Sequence, residues 1–251
     1  MSVTAAEIIF YAAASMPQDD VSTSGGAIDT TTVVVPTSAA LFNALAGSFL
    51  DYVSANAADA MNVTVTGRNA AGAIVTETKA LNGVTLVNGA VAFASIEKIV
   101  LASAAAGVVT VTKHTGGATV TTLAAGVLTV RRLFYAAAAD PASGGVEVRY
   151  EKFFIKNTDG TNSYLGLQIS ETSDPSNVLD FGAATAVNDA VSVANRKTAP
   201  AGIAFASTAI GIPGTDLAAG AAIGVWARLT LAAGQAAAEY AWGLQTSGQT
   251  T

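Results

Sequence analysis

The stretch "MNVTVTGRNAAGAIVTETKAL", residues 61–81, decides the fold class. In its first seven residues two valines face one way and two threonines the other, which is the pattern of a half-buried β-strand. After a turn at Gly72 the alternation resumes over residues 73–81. The segment is therefore predicted to form an antiparallel β-hairpin.

The same period of two continues on both sides of this hairpin. Further strands are predicted at "VTLVNGAVAFASIEKIVL", "GVVTVTKH", "ATVTTLA" and "GVLTVRRLF", and then at "VEVRYEKFFIKN", "SYLGLQIS", "NVLDFG", "AGIAFAS", "AIGVWARLTLAAG" and "EYAWGLQTSG". Apolar and charged residues alternate in "VEVRYE", and residues 153–155 form an apolar core run. Many short strands separated by glycine-rich turns predict an all-β protein of sandwich or barrel type.

One stretch departs from this pattern. In "SAALFNALAGSFLDYVS", residues 38–54, apolar side chains recur at helical spacing, and Ser38 follows a proline and can cap a helix. A short helix packed on the sheet and a buried pair of strands both fit these residues. The expected fold thus contains at most one short helix.

The composition bounds the number of domains and the kind of surface. A chain of 251 residues is long enough for two cores, and 51% of its residues are hydrophobic while only 12% are charged. So few charges leave an isolated monomer poorly solvated. We therefore expect a large contact surface with other subunits and a homo-oligomer.

The charge balance and the missing cysteines exclude several classes of function. A net charge of −6 argues against nucleic acid as a partner, because phosphate contacts need clustered lysine and arginine. Without cysteine there is no disulfide framework, thiolate metal site or cysteine nucleophile. The apolar stretches 33–50 and 200–226 contain prolines and polar residues, and the N-terminus has no basic leader, so neither a membrane partner nor a signal peptide is expected.

Residues that carry chemistry are sparse. The single histidine, His114, is predicted to be a surface or turn residue, because a base or metal ligand normally needs partner side chains. The carboxylates are scattered and are predicted to lie mostly on solvent faces or loops: Asp19, Asp20, Asp51, Asp59, Glu77, Glu97, Glu147, Glu151, Asp174, Asp180 and Asp216. A glycosidase pair facing across a cleft stays open, although no residue points to one. We expect no catalytic residue, no cofactor and no metal site, and hence no enzyme.

The aromatic residues are the remaining candidates for a site. Trp226, Trp242 and Tyr240 lie in the last part of the chain and are the candidate interface residues. Packing in the core or at an interface is the plain interpretation of both tryptophans, and a platform for sugar rings is the alternative.

Two parts of the chain resemble known bacteriophage proteins. Residues 63–112 resemble a β module found in structural proteins of tailed bacteriophages. The matching positions are Thr66, Gly67, Gly72, Thr76, Glu77, Thr78, Gly83, Phe93, Ile96, Ile99 and Gly107.

The flanking parts are similar to a second phage pattern. Its first piece matches "STSGGAI", residues 22–28, and its later pieces match "LF" at residues 133–134, a strand centred on "YEKFFIKN" and a tryptophan-containing end. The matching positions of these later pieces are Gly145, Tyr150, Glu151, Lys152, Phe154, Lys156, Asn157, Trp226, Arg228 and Gly234. The resemblance implies a discontinuous outer β-sandwich domain, residues 1–30 plus 131–251, with a β-sandwich module of residues 31–130 inserted into it.

The resemblance also implies a function. The chain is expected to be a capsid decoration or cement protein that binds the major capsid protein or other virion proteins and is located in the virion, on the phage head. A tail, neck or fibre-base protein is the nearest alternative, and a carbohydrate-binding or adhesin module is one from another class.

The repeat of "FYAAA" at residues 10–14 and 134–138 is interpreted as a coincidence of an alanine-rich composition.

Overall fold

The structure is a computed structural model that describes residues 2–35, 42, 44–134, 144–174, 177–234 and 242–250. The described chain contains one turn of 3-10 helix at Ala5–Glu7, one α-helical residue, Phe42, and β-strands otherwise. The strands are β1 (Ile8–Ser15), β2 (Ser24–Val34), β3 (Leu50–Ser54), β4 (Asn62–Arg68), β5 (Ile74–Ala80), β6 (Val87–Asn88), β7 (Ser95–Leu101), β8 (Val109–Lys113), β9 (Thr119–Leu123), β10 (Thr129–Arg131), β11 (Glu147–Asn157), β12 (Tyr164–Ser173), β13 (Leu179–Val187), β14 (Ser192–Val193), β15 (Ile210–Gly211), β16 (Ala222–Leu231) and β17 (Gly243–Thr250). The predicted all-β fold class is confirmed.

The chain divides into two compact units. The outer unit consists of Met1–Thr30 and Leu133–Thr251, and the inserted unit of Thr31–Arg132. The sequence-based boundaries fall after residues 30 and 130. Strand β2 crosses the first boundary, so its first seven residues belong to the outer unit and the rest to the inserted unit.

The outer unit is built on two sheets. In the larger, the strand order is β13-β16-β11-β1-β2, with β14 also paired to β2, and the smaller has the order β15-β12-β17. Strand β11 pairs antiparallel with β1 and, over ten residue pairs, with β16. Its residues Phe153, Phe154 and Ile155 are buried, as the apolar run predicts.

The inserted unit is a sandwich of two sheets. One has the order β2-β10-β7-β4-β5, where β10 runs parallel to β2, and the other has the order β6-β3-β8-β9. Side chains from both sheets share one core, with Val65 and Ile99 from the first and Tyr52 and Val111 from the second. The predicted hairpin is present, since β4 and β5 pair antiparallel from Asn62↔Ala80 to Arg68↔Ile74.

The stretch with helical spacing contains a strand. Residues 36–41 and 43 lie outside the described residues, but Leu50–Ser54 forms β3, which pairs with β8 and β6. A helix that continues to residue 54 is therefore wrong, and the strand interpretation holds for this part. Leu50 and Tyr52, two residues apart, both enter the core, so burial with a period of two outweighs the helical spacing.

Candidate functional site: buried charges and tryptophans

Both candidate tryptophans lie inside the outer unit. Trp226, on β16, is 1% exposed, and Trp242 is 6% exposed with its ring centroid 6.1 Å from that of Phe181. Tyr240 lies outside the described residues. The structure thus does not bring the three together on a described surface.

The position of Trp226 explains a glycine. A Cβ atom on Gly25 would lie 2.8 Å from ring atom Cη2 of Trp226, and Gly25 has a φ of +101°. A larger residue would clash with the indole and strain the backbone. Trp226 therefore fixes the start of β2 against β16.

His114 lies in the turn after β8 and is exposed, as expected. Its Nδ1 is 2.9 Å from Oδ1 of Asp51, a carboxylate that is 4% exposed. The imidazole covers that carboxylate, and its ring packs edge-on against Phe49.

The expectation that the carboxylates lie mostly on solvent faces or loops is wrong for four of the eleven, Asp51, Glu77, Glu97 and Glu151, which are buried on strands. Five of those named from the sequence are buried: Asp51, Asp59, Glu77, Glu97 and Glu151. Burial of an unpaired carboxylate is costly, so each must have hydrogen-bond or ion-pair partners. The contacts of these groups are the main polar feature of both units.

In the inserted unit, Glu77 holds a loop beside β5. Its Oε1 accepts hydrogen bonds from the backbone N–H groups of Ala90 (2.5 Å) and Val91 (3.1 Å), and its Oε2 accepts one from the hydroxyl of Tyr52 (2.8 Å). Burial and the neighbouring Glu77 raise the pKa of Tyr52 far above its usual value. The phenol is therefore a permanent donor, and the group fixes residues 90–91 to the sheet.

Two other carboxylates fix loops of the same unit. Asp59 accepts hydrogen bonds from the hydroxyl of Ser54 and from the N–H groups of Ala106 and Gly107, and these bonds lower its pKa. Glu97 lies between two guanidinium groups, 3.1 Å from Nε of Arg68 and 3.6 Å from Nη1 of Arg132.

In the outer unit, Asp20 is the centre of a charge cluster. Its carboxylate lies 2.6 Å from Nε of Arg196, 2.9 Å from Nε of Arg149 and 3.0 Å from Nζ of Lys197. Glu147 contacts Arg149 and Lys197 as well. Burial alone would raise the pKa of Asp20, but hydrogen bonds from its three cationic neighbours outweigh it and hold that pKa well below the usual range.

The same cluster anchors both chain segments that flank the inserted unit. Arg149 of β11 binds Asp20, four residues before β2, through two N–H groups at 2.9 and 3.1 Å. Glu151, two residues further along β11, accepts a hydrogen bond of 2.8 Å from the backbone N–H of Phe134, where the chain re-enters the outer unit. One strand thus holds the departing and the returning chain.

A second buried ion pair lies on β11. The side chain of Lys152 is 0% exposed, and its Nζ lies 2.5 Å from Oδ1 of Asp189 and 3.1 Å from the carbonyl oxygens of Gly26 and Val191. Desolvation lowers the pKa of Lys152, and Asp189 opposes that shift. Three acceptors match the three protons of an ammonium group, so the arrangement suits a charged structural lysine. The ring of Trp226 lies 5.7 Å from the same nitrogen.

These clusters join loops and strands. Within the described ranges no group of three or more His, Asp or Glu side chains is arranged to hold a metal ion. The same part of the chain has no helix with the length and apolar character needed to cross a membrane.

Exposed apolar side chains occur in both units and were not singled out from the sequence. In the outer unit they are Val21, Val146 and Val191, and in the inserted unit Phe49, Val84, Leu86 and Val108. Val146 alternates with Glu147 and Arg149 and is exposed because the charged face of this segment is the more buried one, which the alternation alone does not show.

Comparisons with known proteins add no relative. No protein-family model matches the chain. A search of curated proteins also finds no match.

Proposed function

We propose that the chain is a non-enzymatic structural protein of a tailed-bacteriophage virion, and within that class a decoration protein that binds the major capsid protein and stabilises the head shell. The observation that carries the proposal is the position of the residues by which the sequence resembles phage modules. Several of them, such as Gly67, Lys152 and Asn157, occupy sites where the fold tolerates few other residues, and this supports the resemblance.

In the inserted unit, a matched glycine and the matched apolar residues support this argument. A Cβ on Gly67 would lie 2.1 Å from the carbonyl oxygen of Ser95, so only glycine fits there. Phe93, Ile96 and Ile99 are each 0% exposed. The matched Glu77 makes the loop contacts described above.

In the outer unit, two polar residues that match the phage pattern, Lys152 and Asn157, support the same argument. Lys152 carries the buried ion pair, and Asn157 is 0% exposed. The Nδ2 of Asn157 donates to three carbonyl oxygens, those of Asn162, Leu217 and Ala218, at 2.9 to 3.3 Å. The side chain of Asn157, at the end of β11, therefore holds two loops in place, one that contains Asn162 and one that contains residues 217–218.

The charge distribution also fits a protein that covers a shell. All four carboxylates of the inserted unit, Asp51, Asp59, Glu77 and Glu97, are buried. The cores of protein interfaces are depleted in charged residues, and the surface of this unit likewise carries few charged residues.

The test is to prepare heads with and without the protein. We expect the protein in purified heads, and we expect heads lacking it to break at lower temperature and under milder osmotic shock. Its absence from heads, or equal resistance of heads that lack it, would contradict the decoration role.

Copy number separates the decoration role from a tail, neck or fibre-base role. A decoration protein should be present at a level comparable to that of the major capsid protein, whereas a ring component is present in few copies. Quantitative mass spectrometry of purified virions measures this ratio.

A carbohydrate-binding role needs exposed aromatic rings, and the burial of Trp226 and Trp242 gives it no support.

A further inference from the structure

Strand β5 forms one edge of the inserted unit. It is the last strand in its sheet and pairs with β4 over all seven of its residues. Across the part of the chain that the structure describes, no strand pairs with its other side. An unpaired edge presents backbone donors and acceptors to any strand that can align with it.

The hydrogen bonds that flank the hairpin show which backbone groups point outward. The N–H of Asn69 donates to the carbonyl of Ala73, and the N–H of Leu81 donates to that of Met61. Because hydrogen-bonded pairs alternate along an antiparallel ladder, the odd-numbered residues of β5 bond to β4. The backbone groups that point away from β4 are those of Ile74, Thr76, Thr78 and Ala80.

This edge carries few of the features that usually block pairing. The pairing of β5 with β4 has no bulge, the strand has no proline, and none of its four outward-bonding residues is charged. Thr76, Thr78 and Ala80 are exposed. Natural edge strands are commonly protected by prolines, bulges, lysines or inward-pointing charges. Of these, β5 has only Lys79 and the inward-pointing Glu77, and one pairing register can accommodate both.

The sequence of β5 is complementary to itself in one antiparallel register. When two copies of β5 are centred on Thr78, Thr76 faces Ala80, and Lys79 of each copy faces Glu77 of the other. Centring on residue 77 or on residue 79 instead places two glutamates or two lysines directly opposite each other, which is destabilising. Centring on Thr76 leaves both charges opposite uncharged residues.

From this complementarity we propose that β5 is the interface of a twofold-symmetric dimer, in which two copies of the chain pair antiparallel with Thr78 opposite Thr78. The backbone groups of residues 76, 78 and 80 form the new ladder, and the two Lys79–Glu77 pairs fix its register. Lys79 lies 3.8 Å from Glu77 of its own chain, so its ammonium is on the same face of the sheet as the glutamates that the pairing would bring opposite it. The interface does not depend on the virion role proposed above.

Cysteine substitution tests the register, because the native chain has no cysteine. A hydrogen-bonded antiparallel pair has its Cα atoms about 5.5 Å apart, within the range of a disulfide. Thr78→Cys should therefore form a disulfide-linked dimer under mild oxidation, visible on a non-reducing gel. Thr76→Cys is the matched control and should not, because the two residues 76 would be about 13 Å apart along the strands.

Proline substitution tests the hydrogen bonding. The N–H of Thr78 points away from β4, so Thr78→Pro removes an outward donor and leaves the bonds to β4 intact. We expect wild type and Thr78→Val to have twice the mass of one chain by light scattering, and Thr78→Pro to have the mass of one, with circular dichroism showing that all three are folded.

Several results would overturn the proposal. They are a monomeric wild type at tens of micromolar, a folded Thr78→Pro variant that remains dimeric, and cross-linking of Thr76→Cys as efficient as that of Thr78→Cys. An edge that captures a segment of a different protein would give the first of these results. A larger assembly in which Thr78→Cys still cross-links selectively supports the interface.

Discussion

Buried charged residues determine local structure in this protein more than its aromatic residues do. The buried Lys152 and Glu77 and the partly buried Asp20 each connect a strand to a loop through several partners. Breaking a buried ion pair by removing one partner leaves an uncompensated charge, which costs more than losing the contact itself. Substitutions at these residues should therefore have large and specific effects.

For Lys152, we predict a severe loss of stability. Lys152→Met should lower the free energy of unfolding by about 3–5 kcal/mol, because the carboxylate of Asp189 is left buried without its cation. Chemical denaturation followed by tryptophan fluorescence would measure it, since Trp226 lies beside the site. Lys197→Met, at a lysine 45% exposed, is the control, and an equal loss there would refute the prediction.

For Asp20, the prediction concerns pH. Its pKa is lowered in the folded protein, so the cluster stabilises the fold above the unfolded pKa of about 3.9, and this stabilisation is lost as pH falls through the folded value. Asp20→Asn should be less stable than wild type at pH 7, and the difference should shrink steadily below about pH 4. Thermal melts across that range measure it, and a difference that does not vary with pH would show that the charge is not responsible.

Among the elements, the hairpin of β4 and β5 follows directly from its sequence, because valine and threonine alternate in β4 and the period of two resumes in β5 after the turn. The burial of Glu77 was not predicted, because the alternation shows that Glu77 faces away from Thr76 and Thr78 but not which of the two faces is buried. The alternation of "VEVRYE" showed two faces of β11 but not which is buried, because that depends on cations from distant parts of the chain, such as Arg196. For the same reason the cluster around Asp20, which joins residues more than a hundred positions apart, has no local signal.

Gly67 gives a prediction at the level of the element. Gly67→Ala places a methyl group against the carbonyl of Ser95, where β4 and β7 approach at an irregularity in their register, and should destabilise the inserted unit by about 1–3 kcal/mol. Hydrogen exchange should show the lost protection first in β4 and β7. Gly160→Ala has no atom within 4 Å of the new Cβ and serves as the control. If hydrogen exchange in β4 and β7 is the same in Gly67→Ala as in the wild type, the close contact between residue 67 and the carbonyl of Ser95 is not present.

At the scale of the whole molecule, the low charge content determines how copies or partners associate. Only 12% of the residues are charged, and many of those that the structure describes are already paired within the chain. Apolar and backbone contacts, including strand addition at an edge, should therefore dominate.

Assembly should accordingly depend weakly on salt. We expect the association constant, measured by analytical ultracentrifugation, to change little between low and moderate salt, because screening acts mainly on exposed charges. Dissociation of most of the assembly in moderate salt would contradict this expectation.

The anchors on β11 make the outer unit a potential carrier for other domains. Arg149 fixes the chain before it departs and Glu151 fixes it on its return, and all four residues involved belong to the outer unit. A foreign domain exchanged for residues 31–132 would leave both attachments in place, provided that its ends match the spacing that the parallel strands β2 and β10 set between Thr30 and Leu133. The site between Thr30 and Leu133 is thus a natural position for displaying a cargo domain.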